Sequence, residues 1–189
     1  MPDHPVTREP ASAPRFGQAF RDGLEDLLRW RRDVRRFRAD PVAEEDIATL
    51  VSLSRLSPSV GLSEPWRFVR VDDESRRAAV RASFERCNAD ALADYSGERA
   101  ADYARLKLAG LNEAPAHLAV FADHATAKGH GLGRRTMPEM LDYSVVTAVH
   151  TFWLAARARG IGVGWVSILD PDEIRAALDV PAEWRLVAY

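Results

Sequence analysis

Residues 132–171 read LGRRTMPEMLDYSVVTAVHTFWLAARARGIGVGWVSILDP, and this stretch decides the fold. From Met137 to Arg159 the apolar residues form two adjacent stripes at helical spacing. One stripe contains Leu141, Val145, Ala148, Phe152 and Ala155, and the other contains Val146, Val149, Trp153 and Ala156. A helix that is apolar nearly all round is buried, either at the centre of a domain or between subunits. Gly160 ends this helix, and IGVGWVSIL is predicted to be a strand.

The rest of the chain alternates between helical and extended patterns. We predict helices over 16–30, around 47–54 and over 171–178, and two polar helices between 74 and 110. Strands are predicted over 67–71, 117–122 and 184–189, with loops over 57–66 and 123–137. There is no regular βαβ repeat, so the pattern favours an α+β or mixed α/β domain.

The two ends of the chain give separate expectations. Residues 1–15 contain four prolines and are predicted to be a flexible arm, and 16–189 are predicted to form one domain. The arm has no apolar segment of the kind found in a signal peptide or a membrane anchor. The chain stops at Tyr189, inside a predicted apolar strand, and we expect a truncated C-terminal end.

Composition excludes several classes of function. The chain has 189 residues, and its formal net charge of −2 gives no overall attraction to nucleic acid or to an anionic membrane. Cys87 is the only cysteine, which excludes an internal disulfide and a multi-cysteine metal site and fits a cytoplasmic protein. The histidines lack metal-ligand spacing, so no metal site is expected, and no nucleophile motif is present. The glycines at 129–133 and 160–164 lack the dinucleotide-binding spacing.

Six arginines fall within residues 29–38, where a predicted helix gives way to an extended segment. The planar guanidinium group makes short, charge-assisted hydrogen bonds that suit a phosphate dianion. A solvated basic face is the simpler explanation of the cluster taken alone, and nucleic-acid binding is weakly supported because the net charge is negative. The phosphate-binding interpretation stays open.

Four segments together resemble one family. They are RRDVRRF (31–37), SPSVGLSEPWRFV (57–69), LKLAGLNEAP (106–115) and the stretch 132–171 quoted above. In order and spacing they are similar to the nitroreductase superfamily, and specifically to its flavin-fragmenting branch, the 5,6-dimethylbenzimidazole synthases. The resemblance implies an α+β nitroreductase-like fold, with a central, mainly antiparallel sheet flanked by helices. It also implies an intertwined homodimer with a flavin at each interface.

The resemblance also implies a set of site residues. Arg31, Arg32 and Arg35 would bind the phosphate and ribityl end of FMN, and Asp33 would be the acid/base residue beside the flavin. Ser167 would complete the reactive pocket. The remaining cofactor-binding residues implied are Val34, Pro58, Ser59, Val60, Pro65, Trp66, Leu108 and Trp165, with Leu108 in a lid over 106–111. The chain has Glu64 where the family usually has glutamine, and a carboxylate there would disfavour an anionic reduced flavin unless it pointed away.

The activity implied is oxygen-dependent fragmentation of reduced FMN to 5,6-dimethylbenzimidazole, the lower ligand of cobalamin, and erythrose 4-phosphate. Here FMN is the substrate, and a separate flavin reductase using NAD(P)H would supply it in reduced form. A conventional NAD(P)H-dependent nitroreductase, in which FMN stays bound, is the second hypothesis. A non-catalytic flavin-binding protein is the third.

Overall fold

The computed structural model describes residues 13–93 and 110–189. The six helices in these ranges are α1 (Gln18–Trp30), α2 (Glu44–Ser54), α3 (Glu74–Ala93), α4 (Gly110–Glu113), α5 (Met140–Ala158) and α6 (Pro171–Ala177). The three strands are β1 (Trp66–Arg70), β2 (Leu118–Asp123) and β3 (Trp184–Ala188). The chain divides into two compact units, one ending at Trp30 and the other running from Arg31 to Tyr189. No helix in the described ranges is both long enough and apolar enough to cross a bilayer.

Helix α1 is the regular element of the first unit. Its apolar residues follow helical spacing, and the rings of Phe16 and Phe20 stack with their centroids 4.4 Å apart. Phe20, Leu24 and Leu28 are exposed. The predicted helix over 16–30 is confirmed, with its first residue at Gln18.

The sheet of the second unit is antiparallel, in the order β1-β2-β3. Trp66 lies opposite Ala122 across the first pair of strands, and Phe121 lies opposite Leu186 across the second. Consecutive residues of the central strand β2 are buried. Because alternate side chains of a strand point to opposite sides of the sheet, both faces of β2 are therefore buried. The predicted antiparallel α+β architecture is therefore confirmed.

Helix α5 covers one face of the sheet. Its residues Val145, Ala148 and Val149 pack with Val120 and Ala122 of β2. On the same helix Tyr143 and Val146 are exposed. The helix predicted to be buried nearly all round is thus buried on one side only within this chain.

The opposite face of the sheet forms a second apolar cluster. Phe121 packs there with Val71, Val80, Leu111 and Ile174, which come from the flanking helices and connections. Leu111, the last residue of the lid predicted over 106–111, is 5% exposed and belongs to this cluster. Residues 106–109 lie outside the described ranges, so the lid stays a prediction.

The segment 161–169 is not a regular strand, although its sequence predicted one. The N–H of Val166 donates to the carbonyl of Tyr189 at 2.8 Å, and the carbonyl of Val163 accepts from the N–H of Val34 at 3.0 Å. Between these bonds the N–H of Trp165 donates to the side chain of Asp33 at 3.0 Å. A side-chain acceptor thus takes the place of a backbone carbonyl, and the ladder is interrupted.

His117 and Tyr189 form a hydrogen-bonded pair at the ends of β2 and β3. His117 Nε2 lies 3.1 Å from the carbonyl of Ala114, and Nδ1 lies 2.9 Å from the Tyr189 hydroxyl. Because a carbonyl only accepts, Nε2 carries the proton and Nδ1 accepts from the tyrosine. Burial, reinforced by the Arg77 guanidinium, lowers the pKa of His117 from 6.5 to about 4, and burial raises the pKa of Tyr189.

The lowered pKa of His117 predicts a loss of stability in mild acid. As pH falls from 6.5 towards 4, the unfolded chain takes up a proton that the folded chain does not bind, so the free energy of unfolding decreases. Fully developed, this contribution amounts to about 3 kcal/mol. Urea denaturation of the wild-type chain and of His117→Gln, at a series of pH values from about 7 to about 4, measures how much the free energy of unfolding decreases. The variant should lose less stability over this range. An equal loss in both proteins would contradict the assignment.

Candidate functional site

Asp33 is the carboxylate around which the candidate site is built. Its Oδ1 accepts a hydrogen bond from the backbone N–H of Trp165 at 3.0 Å, and its Oδ2 is paired with the guanidinium of Arg35. The side chain remains 37% exposed. The carboxylate is therefore held in one orientation and can still be reached from outside.

Close backbone packing holds Asp33 in place. A Cβ atom on Gly164 would lie 2.4 Å from the carbonyl oxygen of Val34 and 3.6 Å from Asp33 Oδ1. A Cβ on Gly162 would lie 3.1 Å from a methyl group of Val34. Glycine at 164 lets segment 161–169 approach closely enough for the Trp165 N–H to reach the carboxylate.

Trp153 of α5 supports the arginine-rich segment from the other side. Its indole N–H donates to the carbonyl of Arg32 at 3.2 Å, and the Arg31 guanidinium lies 4.8 Å from the ring centroid. The rings of Trp153 and Trp165 are 6.2 Å apart. Among the described residues no carboxylate lies within ion-pair distance of Arg31, so its donors can bind an anion.

Hydroxyl groups of α5 anchor the loop at 57–66. The Ser144 hydroxyl accepts from the N–H of Val60 at 3.0 Å, and the Thr147 hydroxyl donates to the carbonyl of Pro58 at 3.1 Å. The Ser57 hydroxyl donates to the Thr151 hydroxyl at 2.7 Å. The same helix therefore positions the arginine-rich segment and this loop.

The remaining residues of the predicted site occupy different environments. Pro65 and Trp66 are buried in the core. Ser167 is exposed and follows Trp165 by two residues in the sequence. Pro58 is exposed, and Ser59 and Val60 are partly buried. Leu108 lies outside the described residues. The structure thus brings Arg35 and Trp165 into contact with Asp33, whereas Pro65 and Trp66 are buried in the core.

A cavity of about 540 Å³ adjoins the Asp33 segment. Val34, Arg35 and Trp165 line it, as do Phe37, Phe152 and Trp153, which the sequence did not identify as site residues. The two helical stripes, one with Phe152 and the other with Trp153, indicated core positions, and local periodicity carries no signal that separates such residues from cavity walls. No group of three or more potential metal ligands occurs in 13–93 or 110–189.

Comparison with known proteins gives a consistent result. The Nitroreductase family profile matches residues 28–189. A 5,6-dimethylbenzimidazole synthase from Rhodospirillum rubrum is 62% identical over 94% of this chain and 84% of its own length. One from Rhodobacter capsulatus is 49% identical over 92% of this chain and 84% of its own length.

Solved structures share the fold. Oxidized iodotyrosine deiodinase bound to FMN and 3-iodo-L-tyrosine is 27% identical, with a TM-score of 0.73 over 87% of this chain and 85% of that one. A BluB-like flavoprotein from Clostridium difficile 630 is 21% identical, with a TM-score of 0.66 over 87% of this chain and 86% of that one. At 21% identity, the similarity to the BluB-like flavoprotein shows a shared fold and nothing more.

The close approach at Gly164 predicts the effect of a single methyl group. Gly164→Ala should destabilise the chain by about 1–3 kcal/mol, because the added Cβ overlaps the Val34 carbonyl and separates the two segments. Urea denaturation measures the change. Gly23→Ala is the matched control, since a Cβ there meets no atom within 4 Å and alanine favours the helix. Equal stabilities for Gly164→Ala and the wild-type chain would contradict the packing described here.

Proposed function

The chain belongs to the nitroreductase family, and from that premise we propose that it is a 5,6-dimethylbenzimidazole synthase. The reaction is the oxygen-dependent fragmentation of reduced FMN to 5,6-dimethylbenzimidazole and erythrose 4-phosphate, with the pyrimidine part of the ring system released as a further product. One observation carries the proposal: in a chain 62% identical to a synthase, an accessible carboxylate is fixed between an arginine and a backbone N–H. Family membership supports an oxidoreductase, and within that class we propose a dioxygenase-type reaction.

The two other hypotheses are less well supported. A putative NAD(P)H nitroreductase from Bacillus subtilis is 24% identical over 87% of this chain, and an iodotyrosine deiodinase from Thermotoga neapolitana is 29% identical over 86%. Both are far less similar than the synthases. A non-catalytic flavin-binding protein would have no need for the oriented carboxylate.

The arginine-rich segment has the donors that FMN requires. Arg31 stacks on Trp153 without a carboxylate partner among the described residues, so its guanidinium can bind a phosphate dianion in the bidentate manner that arginine favours. We assign the phosphate and ribityl contacts to Arg31, Arg32 and Arg35, with Val34 and Trp165 beside them. The loop residues Pro58, Ser59 and Val60 would face the ring, backed by Pro65 and Trp66.

The oriented carboxylate accounts for the acid/base chemistry. Bound reduced FMN supplies the electrons that reduce O2 and the carbon atoms that become the product. Asp33 takes up or returns a proton at Oδ2, while the Trp165 N–H holds Oδ1 in place. Ser167 donates a hydrogen bond that orients an oxygen atom of the substrate. The apolar walls near Trp153 and Trp165 exclude water from the reacting atoms.

We also assign the exposed apolar surface of this unit to a homodimer with a flavin at each interface. Six large apolar residues are exposed there, on α5 and on the loops around it: Leu56, Leu62, Leu132, Met137, Tyr143 and Val146. Contact with a second copy of the chain would remove these side chains from water, which is how exposed apolar surface is commonly used at subunit interfaces. Light scattering on the purified chain distinguishes a dimer from a monomer. A separate flavin reductase that consumes NAD(P)H supplies reduced FMN.

The assignment of Asp33 predicts a large loss of product formation in Asp33→Asn. Asparagine keeps an oxygen for the Trp165 N–H but cannot accept the proton, so the rate should fall about 10²- to 10⁴-fold. The assay mixes the protein with chemically reduced FMN, admits air, and follows 5,6-dimethylbenzimidazole by mass spectrometry. The matched control is Asp40→Asn, which removes another arginine-paired carboxylate of the same segment.

Three results would count against these assignments. If Asp33→Asn forms product at the wild-type rate, Asp33 is not the acid/base residue, although the chain still catalyses the proposed reaction. NAD(P)H oxidation by the wild-type chain, with FMN intact, would indicate a conventional nitroreductase. FMN binding without any turnover would indicate a flavin-binding protein.

A further inference from the structure

Two loops of the second unit contact each other through their backbones. A Cβ on Gly129 would lie 2.2 Å from the carbonyl oxygen of Gly61, and a Cβ on Gly61 would lie 2.5 Å from that of Leu132. Gly61 and Gly129 have φ angles of +54° and +76°, which glycine adopts without strain. The loop at 57–66 is thus packed directly against residues 128–133.

Glu64 lies at this contact and is held through its backbone as well as its side chain. Its φ is +41°, in the left-handed region that non-glycine residues seldom adopt. Its N–H donates to the Ser59 hydroxyl at 3.1 Å, and its carbonyl accepts from Arg67 at 3.2 Å. The position of the carboxylate is therefore fixed by the fold of the loop.

Lys128 provides the partner of that carboxylate. Its Nζ lies 2.5 Å from Glu64 Oε2. The side chains of Lys128 and Glu64 are 56% and 33% exposed, so the pair contributes little to stability. Its larger effect is on charge, because a fixed carboxylate without its partner places a negative charge on the loop.

We propose that the Glu64–Lys128 pair is a charge-compensating clamp, in which Lys128 neutralises the Glu64 carboxylate and so preserves the preference of the site for reduced over oxidised FMN. This inference rests on the proposed function, in which loop 57–66 faces the flavin ring. Reduced FMN carries a negative charge on its ring that oxidised FMN lacks. The positive charge of Lys128 cancels the negative charge of the Glu64 carboxylate. A glutamate on this loop is then compatible with a negatively charged flavin ring. Both residues act as positioning residues.

The test is a double-mutant cycle read by FMN binding. Anaerobic titrations give the dissociation constants of oxidised and dithionite-reduced FMN for the wild-type chain, Lys128→Met, Glu64→Gln and the double variant. Lys128→Met should weaken binding of reduced FMN relative to oxidised FMN by about three- to tenfold, because the carboxylate is left uncompensated. Glu64→Gln should shift the ratio the opposite way, and the double variant should restore it.

The matched control is the pair Arg86→Met and Glu173→Gln, which removes an ion pair between α3 and α6. The ratio of the dissociation constants of reduced and oxidised FMN should be the same in this control as in the wild-type chain. An unchanged ratio in Lys128→Met and Glu64→Gln, or shifts of the same sign in both, would overturn the clamp even if the benzimidazole forms. If the binding ratio shifts in opposite directions in Lys128→Met and Glu64→Gln but the wild-type chain forms no benzimidazole, the clamp is supported and the synthase activity is overturned. A wild-type chain that binds no FMN would overturn both.

Discussion

The hydrogen bond from the Trp165 N–H to the Asp33 carboxylate is the interaction on which the candidate site depends. It replaces a backbone bond in an otherwise strand-like segment, so a catalytic type of side chain occupies a position normally taken by the main chain. The bond exists because Gly164 has no side chain: a Cβ at this position would lie 2.4 Å from the Val34 carbonyl oxygen and would keep the two segments apart. Its consequence is a carboxylate with one oxygen fixed and the other beside an arginine, which is an arrangement suited to directed proton transfer.

Helix α5 links this interaction to the rest of the molecule. Its buried face packs on the sheet, Trp153 contacts the arginine-rich segment, and the hydroxyl groups of Ser144 and Thr147 hold the loop that would face the flavin. A rigid element that carries both sides of a site preserves their relative geometry better than two independent loops would. In the proposed homodimer, the exposed side of the same helix would supply apolar surface to the second subunit, and one element would then govern both assembly and site geometry.

Local sequence patterns predicted the elements well where periodicity is strong. The long helix, the compact apolar strand β2 and the helix begun by Pro171 were all predicted from the residues, and the resemblance to a family supplied the site residues. The patterns failed at 161–169, where a carboxylate 132 positions away in the sequence accepts the bond of Trp165. Hydrogen bonds and packing between remote segments leave no trace in the spacing of neighbouring residues.

A crystal structure of the chain grown anaerobically with FMN tests the proposed site most directly. We expect the phosphate within hydrogen-bonding distance of the Arg31 guanidinium. We also expect the flavin beside loop 57–66, with a ring or ribityl atom within reach of the Asp33 carboxylate, directly or through one water. A flavin bound with its phosphate away from residues 31–35, and with Asp33 still held by Trp165 but remote from the ligand, would contradict the proposed site.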